Sequence, residues 1–167
     1  LESHEITLNW QVFDLLKLTR EIITFLEEKS KEKSIHIKVE KNEAAIFVKA
    51  DQAKIGQVLT NLISNAINYS NENTEVDIQF YPLGESIVTE ISDQGIGIAE
   101  RDIPRLFERF YRVEQSRNRN EGGSGLGLSI CKHIIEAHDE TITVKSEVGK
   151  GSAFSFSLRK AHKTNEL

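Results

Sequence analysis

The sequence predicts an α+β fold, in which a mostly antiparallel sheet packs against three helices to form a two-layer α/β sandwich. Three observations support this prediction. Several segments alternate apolar and polar residues, three longer segments carry apolar residues at helical spacing, and the connections between them are of hairpin length. The chain has 167 residues, which is enough for one domain with a buried core.

The first half of the chain is predicted to contain two helices and two strands. Residues 12–33 have the spacing of an amphipathic helix, and residues 35–39 alternate as in a half-buried strand. A second short strand is predicted at 46–48. Asp51 has the side chain of an N-cap, and a long helix is predicted to run from it to Tyr69.

The second half is predicted to contain a hairpin, two helices and two further strands. These segments are strands 76–80 and 87–91, a short helix over 103–110, a helix over 126–137, and strands at 142–144 and 154–158. By this division, residues 12–160 form one domain, between a short N-terminal segment, 1–11, and a polar tail, 161–167.

Composition excludes some classes of protein. The net charge of −5 argues against a nucleic-acid binder, and the single cysteine, Cys131, excludes an internal disulfide or a cysteine metal cluster. No apolar run approaches the roughly 20 residues that span a bilayer. Because the chain contains no methionine, even at position 1, we expect it to be part of a longer protein.

Three asparagines share one face of the long predicted helix. At about 100° per residue, Asn61, Asn65 and Asn68 fall within a stripe roughly 60° wide, and Tyr69 follows directly. Asparagine is a mediocre helix former, so this stripe opposes local propensity. It is either a solvated polar face or a set of amide oxygens for a hard cation such as Mg²⁺.

Two glycine motifs lie further along the chain. Residues 93–98, Asp-Gln-Gly-Ile-Gly-Ile, directly follow a predicted strand, where a carboxylate can accept a hydrogen bond from an exocyclic amine. Taken alone, this motif also suits a tight turn or part of a calcium loop. Residues 122–128, Gly-Gly-Ser-Gly-Leu-Gly-Leu, run into a helix whose N-terminus suits phosphate, without the Walker or dinucleotide pattern.

In this order the motifs resemble the GHKL-type ATP-binding domain, or Bergerat fold, of bacterial sensor histidine kinases. Residues 57–69 resemble the N box, 93–98 the G1 box, 107–112 the F box and 123–128 the G2 box. The whole pattern is similar to the phosphate-sensing and cell-wall-sensing subgroup. Four boxes in family order are far more specific than any one of them.

The resemblance implies a role for individual residues. Asn65 would coordinate Mg²⁺ between the ATP phosphates, Asn61 would support that site as a catalytic residue, and Asp93 would bind the adenine amino group. The other residues that it assigns to ATP binding are Asn68, Tyr69, Gly95, Gly97, Ile98, Phe110, Gly123, Ser124, Gly125, Leu126, Gly127 and Leu128.

The charged segment 94–125 would form the ATP lid, with Phe107 and Phe110 as anchors. Arg112 and Arg109 would offer guanidinium groups to the γ-phosphate as catalytic residues. One departure stands out: the family usually has Lys or Arg where this chain has Asn68, so we expect weaker ATP binding.

The resemblance also separates a kinase from a hydrolase. Relatives that hydrolyse ATP carry a glutamate base where this chain has Asn61, and an amide cannot take a proton from water. The implied activity is therefore transfer of the γ-phosphate to a histidine on a separate dimerisation domain. His4 precedes a glutamate, but it lacks the sequence that follows the family's acceptor histidine, and we reject it as the acceptor.

The resemblance also implies that residues 1–11 are a linker at the end of a preceding dimerisation helix and that residues 12–160 form the catalytic domain. The implied partners are the chain's own dimerisation domain and a downstream response regulator. We expect no binding to nucleic acid. We expect a monomeric cytoplasmic domain from a parent protein anchored in the bacterial membrane. Two alternatives remain open: a non-catalytic nucleotide-binding scaffold, suggested by Asn68, and an anti-sigma kinase that phosphorylates serine, which usually lacks the 107–112 pattern.

Overall fold

The computed structural model of the chain describes residues 6–39, 44–111 and 127–162. Within these ranges, seven strands form one sheet with helices packed against it, which confirms the predicted α+β class. The strands are β1 (Trp10–Asp14), β2 (His36–Val39), β3 (Phe47–Asp51), β4 (Glu75–Leu83), β5 (Ser86–Asp93), β6 (Ile142–Glu147) and β7 (Gly151–Lys160). The helices are α1 (Leu15–Phe25), α2 (Glu27–Glu32), α3 (Gln52–Tyr69) and α4 (Gly127–Ala137), with a 3-10 helix at Glu100–Arg105.

The sheet is mostly antiparallel, as predicted. Its order is β1-β3-β7-β5-β4-β2. Strand β6 pairs with residues 151–156 of β7, on the same edge of β7 where residues 159–160 pair with β3. The β2–β4 pair is parallel, and each other pair of these strands is antiparallel. The hairpin between β4 and β5 turns at Gly84 and Glu85, where Gly84 has a φ of 60°.

Helix α3 is the centre of the core because one of its faces is fully enclosed. Ile55, Leu59 and Ile67 are fully buried, and they belong to the same cluster as Ile91 of β5 and Phe156 of β7. Each such side chain contributes about 1.5–3 kcal/mol through removal of apolar surface from water. The opposite face of α3 is therefore held in a fixed orientation toward solvent.

The start of α3 is fixed as the sequence predicts. Asp51 accepts a hydrogen bond from Lys54 N at 3.1 Å through one carboxylate oxygen and from Asn9 N at 2.9 Å through the other. Its own N–H donates to Nε2 of the buried His138 at 3.0 Å, while Nδ1 of that ring meets Ile134 O at 2.8 Å. Asp51 thus connects the start of α3 to Asn9, the residue before β1, and to His138, which directly follows α4.

Two predicted helices were wrong in extent. Val12 lies in strand β1, and helix α1 begins only after Asp14, whose carboxylate accepts hydrogen bonds from the N–H groups of Leu16 and Lys17. The short helix predicted over 103–110 is a 3-10 helix that ends at Arg105 and contains Pro104, which cannot donate a backbone hydrogen bond. Among the helices just named, none is long and apolar enough to cross a membrane.

Candidate functional site

Asp93 stands at the end of β5 with one carboxylate oxygen already engaged. Gly95 N donates to Oδ1 at 2.9 Å and Ser152 N donates to the same atom at 3.2 Å. No other described residue bonds Oδ2, so this oxygen is available to a ligand donor. Burial raises the pKa of Asp93 above its ordinary value, although the two N–H donors act in the opposite direction.

The glycines beside Asp93 allow backbone segments to approach one another closely. A Cβ on Gly95 would lie 2.0 Å from Tyr69 O, and a Cβ on Gly97 would lie 2.2 Å from Glu147 O. A Cβ on Gly151 would lie 2.0 Å from Asp93 O. Glycine is therefore required at all three positions, and the end of α3, the 93–98 segment and the β6–β7 turn enclose one corner of the fold.

The three asparagines lie on one half-buried face of α3, as the sequence predicts. Asn61, Asn65 and Asn68 are each partly accessible, and Tyr69 ends the helix beside Gly95. Asn61 Nδ2 donates to Gly127 O at 3.4 Å, at the first residue of α4. The polar face of α3 therefore lies against the N-terminal end of α4, where helical N–H groups and the dipole favour an anion.

Two further predicted ATP-binding residues lie at the edge of the hydrophobic core. Ile98 and Leu128 are partly buried and pack against the core cluster. Gly123, Ser124, Gly125 and Leu126 lie outside the described residues, as does Arg112, so their assignment remains a prediction.

The 107–111 segment is attached to the domain through one of its two predicted anchors. Phe107 packs edge-on against Phe154 with ring centroids 6.3 Å apart. Phe110 is instead 61% exposed, has a φ of 67°, and meets Arg109, whose guanidinium carbon lies 5.3 Å from the ring centroid. Phe110 is therefore not packed as an anchor in this structure.

A second attachment of this segment was not anticipated from the sequence. The Tyr111 hydroxyl donates to Oδ1 of Asp102, a buried carboxylate in the 3-10 helix. The Arg105 guanidinium carbon also lies 4.4 Å from the centroid of the Tyr111 ring. These contacts connect two parts of the segment that is predicted to form the lid.

Asn68 is a neutral residue at the position where the resemblance leads us to expect Lys or Arg. The nearby ammonium group of Lys33 donates to Ile67 O at 3.1 Å and to Asn68 O at 2.9 Å. This places a positive charge at the carboxyl end of α3, which the helix dipole favours. Lys33 is thereby bound to backbone carbonyls.

Three residues of the corner around Asp93 were not assigned to the site from the sequence: Ser146, Gly151 and Ser152. Residues 148–150 form the turn that directly precedes Gly151. The contacts join positions 48 and 59 residues apart, Ile98 with Ser146 and Asp93 with Ser152. No short-range pattern predicts such pairing.

The residues that could hold a metal ion here are amides. Among the described residues, no group of three or more His, Cys, Asp or Glu side chains is arranged to hold one. Asn61 and Asn65 offer amide oxygens, a donor type that suits Mg²⁺. Cys131 takes no part, because it is fully buried in the core and burial raises its pKa to about 12.

Comparison with known proteins gives a family match over most of the chain. Residues 50–162 match the family described as histidine kinase-, DNA gyrase B-, and HSP90-like ATPase. The sensor histidine kinase YkoH of Bacillus subtilis (strain 168) is 39% identical over 91% of this chain, and WalK of the same strain is 44% identical over 68%. The matched regions cover 33% and 19% of those two relatives, respectively.

Solved structures have the same fold. The catalytic domain of histidine kinase ThkA superposes with a TM-score of 0.80 at 30% identity, covering 92% of this chain and 97% of that one. Full-length ShkA in complex with AMPPNP gives 0.82 at 25% identity, covering 96% of this chain and 34% of that one. ThkA has also been solved in complex with the response regulator TrrA. The resemblance drawn from the four sequence boxes is thus confirmed.

Proposed function

Because the chain belongs to the histidine kinase-, DNA gyrase B- and HSP90-like ATPase family, we propose that it binds Mg·ATP and donates the γ-phosphate to a histidine. That histidine lies on a separate dimerisation domain, and the reaction is the autophosphorylation step of two-component signalling. A response regulator then receives the phosphoryl group, in line with the ThkA–TrrA complex. The domain works in the cytoplasm as a monomer, and the parent protein is anchored in the membrane.

The arrangement of Asp93 carries the proposal for ATP. Its Oδ1 is occupied by two backbone N–H groups, so Oδ2 accepts the hydrogen bond from the 6-amino group of adenine. Tyr69 and Ile98 border the ring. This corner recognises a base that presents an amine, which distinguishes adenine from a base with a 6-oxo group.

The asparagine face and the start of α4 serve the phosphates. Asn65 would hold Mg²⁺ through its amide oxygen and Asn61 would support that site, and the bound ion would neutralise phosphate charge. The bond from Asn61 Nδ2 to Gly127 O fixes the direction of that amide and leaves its oxygen facing away from the carbonyl. Gly127 and Leu128 begin the helix whose N–H groups receive the phosphate oxygens, together with the predicted contacts of 123–126.

Transfer to histidine follows from the lack of a base at Asn61. The amide cannot take a proton from water, so this position does not activate hydrolysis. An imidazole nitrogen carries its own lone pair and needs no such activation. The N–P bond that forms replaces the P–O bond between the β- and γ-phosphates, and ADP leaves. Arg109 and Arg112 stabilise the charge that develops on the transferred group.

The proposal is tested by calorimetric titration of a non-hydrolysable ATP analogue with and without Mg²⁺. We expect saturable binding that needs Mg²⁺ and is lost in Asn65→Ala. Thr60→Ala is the matched control, because Thr60 lies on the same helix and its hydroxyl donates to Gly56 O of that helix, at 2.8 Å. Absence of binding by the unaltered chain, or equal affinity in Asn65→Ala, would refute the proposed site.

A further inference from the structure

The hydroxyl group of Ser146 joins two segments that meet beside Asp93. Ile98 N donates to Ser146 Oγ at 2.8 Å, and this oxygen lies 2.9 Å from Gly151 O and 2.7 Å from Ser152 Oγ. A serine hydroxyl has one hydrogen and two acceptor positions. All three contacts are satisfied if Ser146 donates to Gly151 O and accepts from Ile98 N and from the Ser152 hydroxyl.

The hydrogen bonds of Ser146 are connected to the carboxylate of Asp93 through Ser152. Ser152 N donates to Asp93 Oδ1, and Ser146 lies directly opposite Ser152 in the β6–β7 register. The backbone adds one further bond between the two segments, from Gly149 N to Ile96 O at 2.8 Å. Ser146 supplies a side-chain bond across the same contact, and substitution can remove it without altering the backbone.

The bonds of Ser146 act on both sides of the proposed base-binding corner. On one side the hydroxyl fixes the backbone of Ile98, the residue that would border the ring. On the other side it fixes the 151–152 backbone, from which the Ser152 N–H orients Asp93. Loss of the hydroxyl leaves Ile98 N and Gly151 O without this partner, so the backbone on both sides of the base-binding corner becomes more mobile.

We infer that Ser146 is a positioning residue for recognition of the nucleotide base. The inference rests on the proposed function, because it requires that Asp93 meets the amino group of adenine. Ser146 touches no atom of the nucleotide in this arrangement. It acts through the backbone of Ile98 and through the Ser152 N–H, which binds Asp93 Oδ1 and so leaves Oδ2 for the base. Ser146 should therefore affect the ratio of affinities for different bases as well as the affinity for ATP.

The test compares ATP with inosine triphosphate, which carries a 6-oxo group in place of the 6-amino group. Dissociation constants of both are measured with Mg²⁺ for the unaltered chain, Ser146→Ala and Ser146→Thr. We expect the preference for ATP to narrow about three- to tenfold in Ser146→Ala, the effect of one neutral hydrogen bond. Ser146→Thr keeps the hydroxyl and should retain the preference.

Ser157→Ala is the matched control. Ser157 lies on β7 and also makes two side-chain hydrogen bonds, from Thr141 N at 3.2 Å and to Glu140 Oε1 at 2.6 Å, away from Asp93. This variant should lose stability and keep the preference for ATP. If Ser146→Ala does not fold by circular dichroism, Ser146→Cys is measured instead, with the same expectation.

The outcomes separate this inference from the proposed function. An unchanged ratio of dissociation constants in Ser146→Ala, or an equal change in Ser157→Ala, overturns the role of Ser146 and leaves ATP binding intact. Failure of the unaltered chain to bind ATP overturns the proposed function and this inference with it. A narrowed preference in Ser146→Ala, absent from Ser146→Thr and Ser157→Ala, supports both.

Discussion

Asp93→Asn should reverse the hydrogen-bonding character of the proposed base site without changing its shape. In the structure, Gly95 N and Ser152 N both donate to Oδ1. An asparagine must keep its single oxygen facing these donors, which places the Nδ2 amide group where Oδ2 was. The site would then present a donor to the amino group of adenine, which is also a donor.

The expected loss of ATP affinity is large. A hydrogen bond to a charged acceptor is worth about 1.5–3 kcal/mol, which corresponds to roughly 10- to 150-fold in affinity. The opposed donors in Asp93→Asn add to this loss, so we expect a decrease on the order of 100-fold. Inosine triphosphate, whose 6-oxo group accepts a hydrogen bond, should be favoured by the variant.

The assay is calorimetric titration of both nucleotides, with Asp77→Asn as the matched control. Asp77 lies on the neighbouring strand β4 and its carboxylate accepts a bond from Gln79 Nε2 at 3.0 Å, so its substitution should leave both affinities unchanged. Equal ATP affinity in Asp93→Asn and the unaltered chain would refute the assignment of Asp93 to the base.

The same carboxylate predicts a pH dependence of ATP binding. Since burial raises the pKa of Asp93 above 3.8, protonation removes the acceptor at a higher pH than for an exposed aspartate. The raised pKa contributes stability that is present below the unfolded value and is lost as pH rises through the folded value. ATP affinity should therefore fall on acidification while the fold persists, and Asp93→Asn should lack this dependence.

Three stability predictions follow from backbone and cap contacts, and chemical denaturation tests each of them. Gly56→Ala should stabilise the protein by about 0.5–1 kcal/mol, because in helix α3 the added Cβ meets only a side-chain methyl group at 3.9 Å; a loss of stability would contradict this. Gly95→Ala should destabilise by about 1–3 kcal/mol or more, since its Cβ would lie 2.0 Å from Tyr69 O, and unchanged stability would mean that the close approach is absent. Asp51→Ala should lose about 1–2 kcal/mol at neutral pH with the N-cap. Burial opposes ionisation of Asp51, but hydrogen bonds and nearby positive charge lower its pKa below 3.8, so its contribution is present above that value and should disappear as pH falls through the folded pKa.

The parts of the fold that the sequence predicts well are those that depend on local periodicity. Helix α3 has an apolar stripe over many turns and a carboxylate at its cap, and it begins after Asp51 as predicted. Strand β1 was missed because Val12 and Phe13 also fit the spacing of the helix that follows, and their pairing with β3 depends on residues about 36 positions away. Local pattern cannot decide between two such conformations.

The candidate site divides in the same way. Asp93 and the asparagine face of α3 could be proposed from the sequence because each depends on residues that are close along the chain. Ser146 and Ser152 were missed because Ser152 reaches Asp93 through the β5–β7 pairing, and Ser146 reaches Ser152 through the β6–β7 pairing. Their side chains are ordinary in a strand, and their hydrogen bonds exist only after the sheet has formed. The contact of Tyr111 with Asp102 was missed because the 3-10 helix that contains Asp102 has no clear sequence pattern.

The central claim, transfer of phosphate to a histidine on another domain, is tested most directly with γ-labelled ATP. The chain is incubated with Mg²⁺ and the labelled nucleotide, alone and with the histidine-containing dimerisation segment of its parent protein. The account predicts label on the added segment that is labile to acid and stable to base, and little release of free phosphate by the chain alone. Acid-stable label on serine, or steady release of phosphate without the added segment, would contradict it.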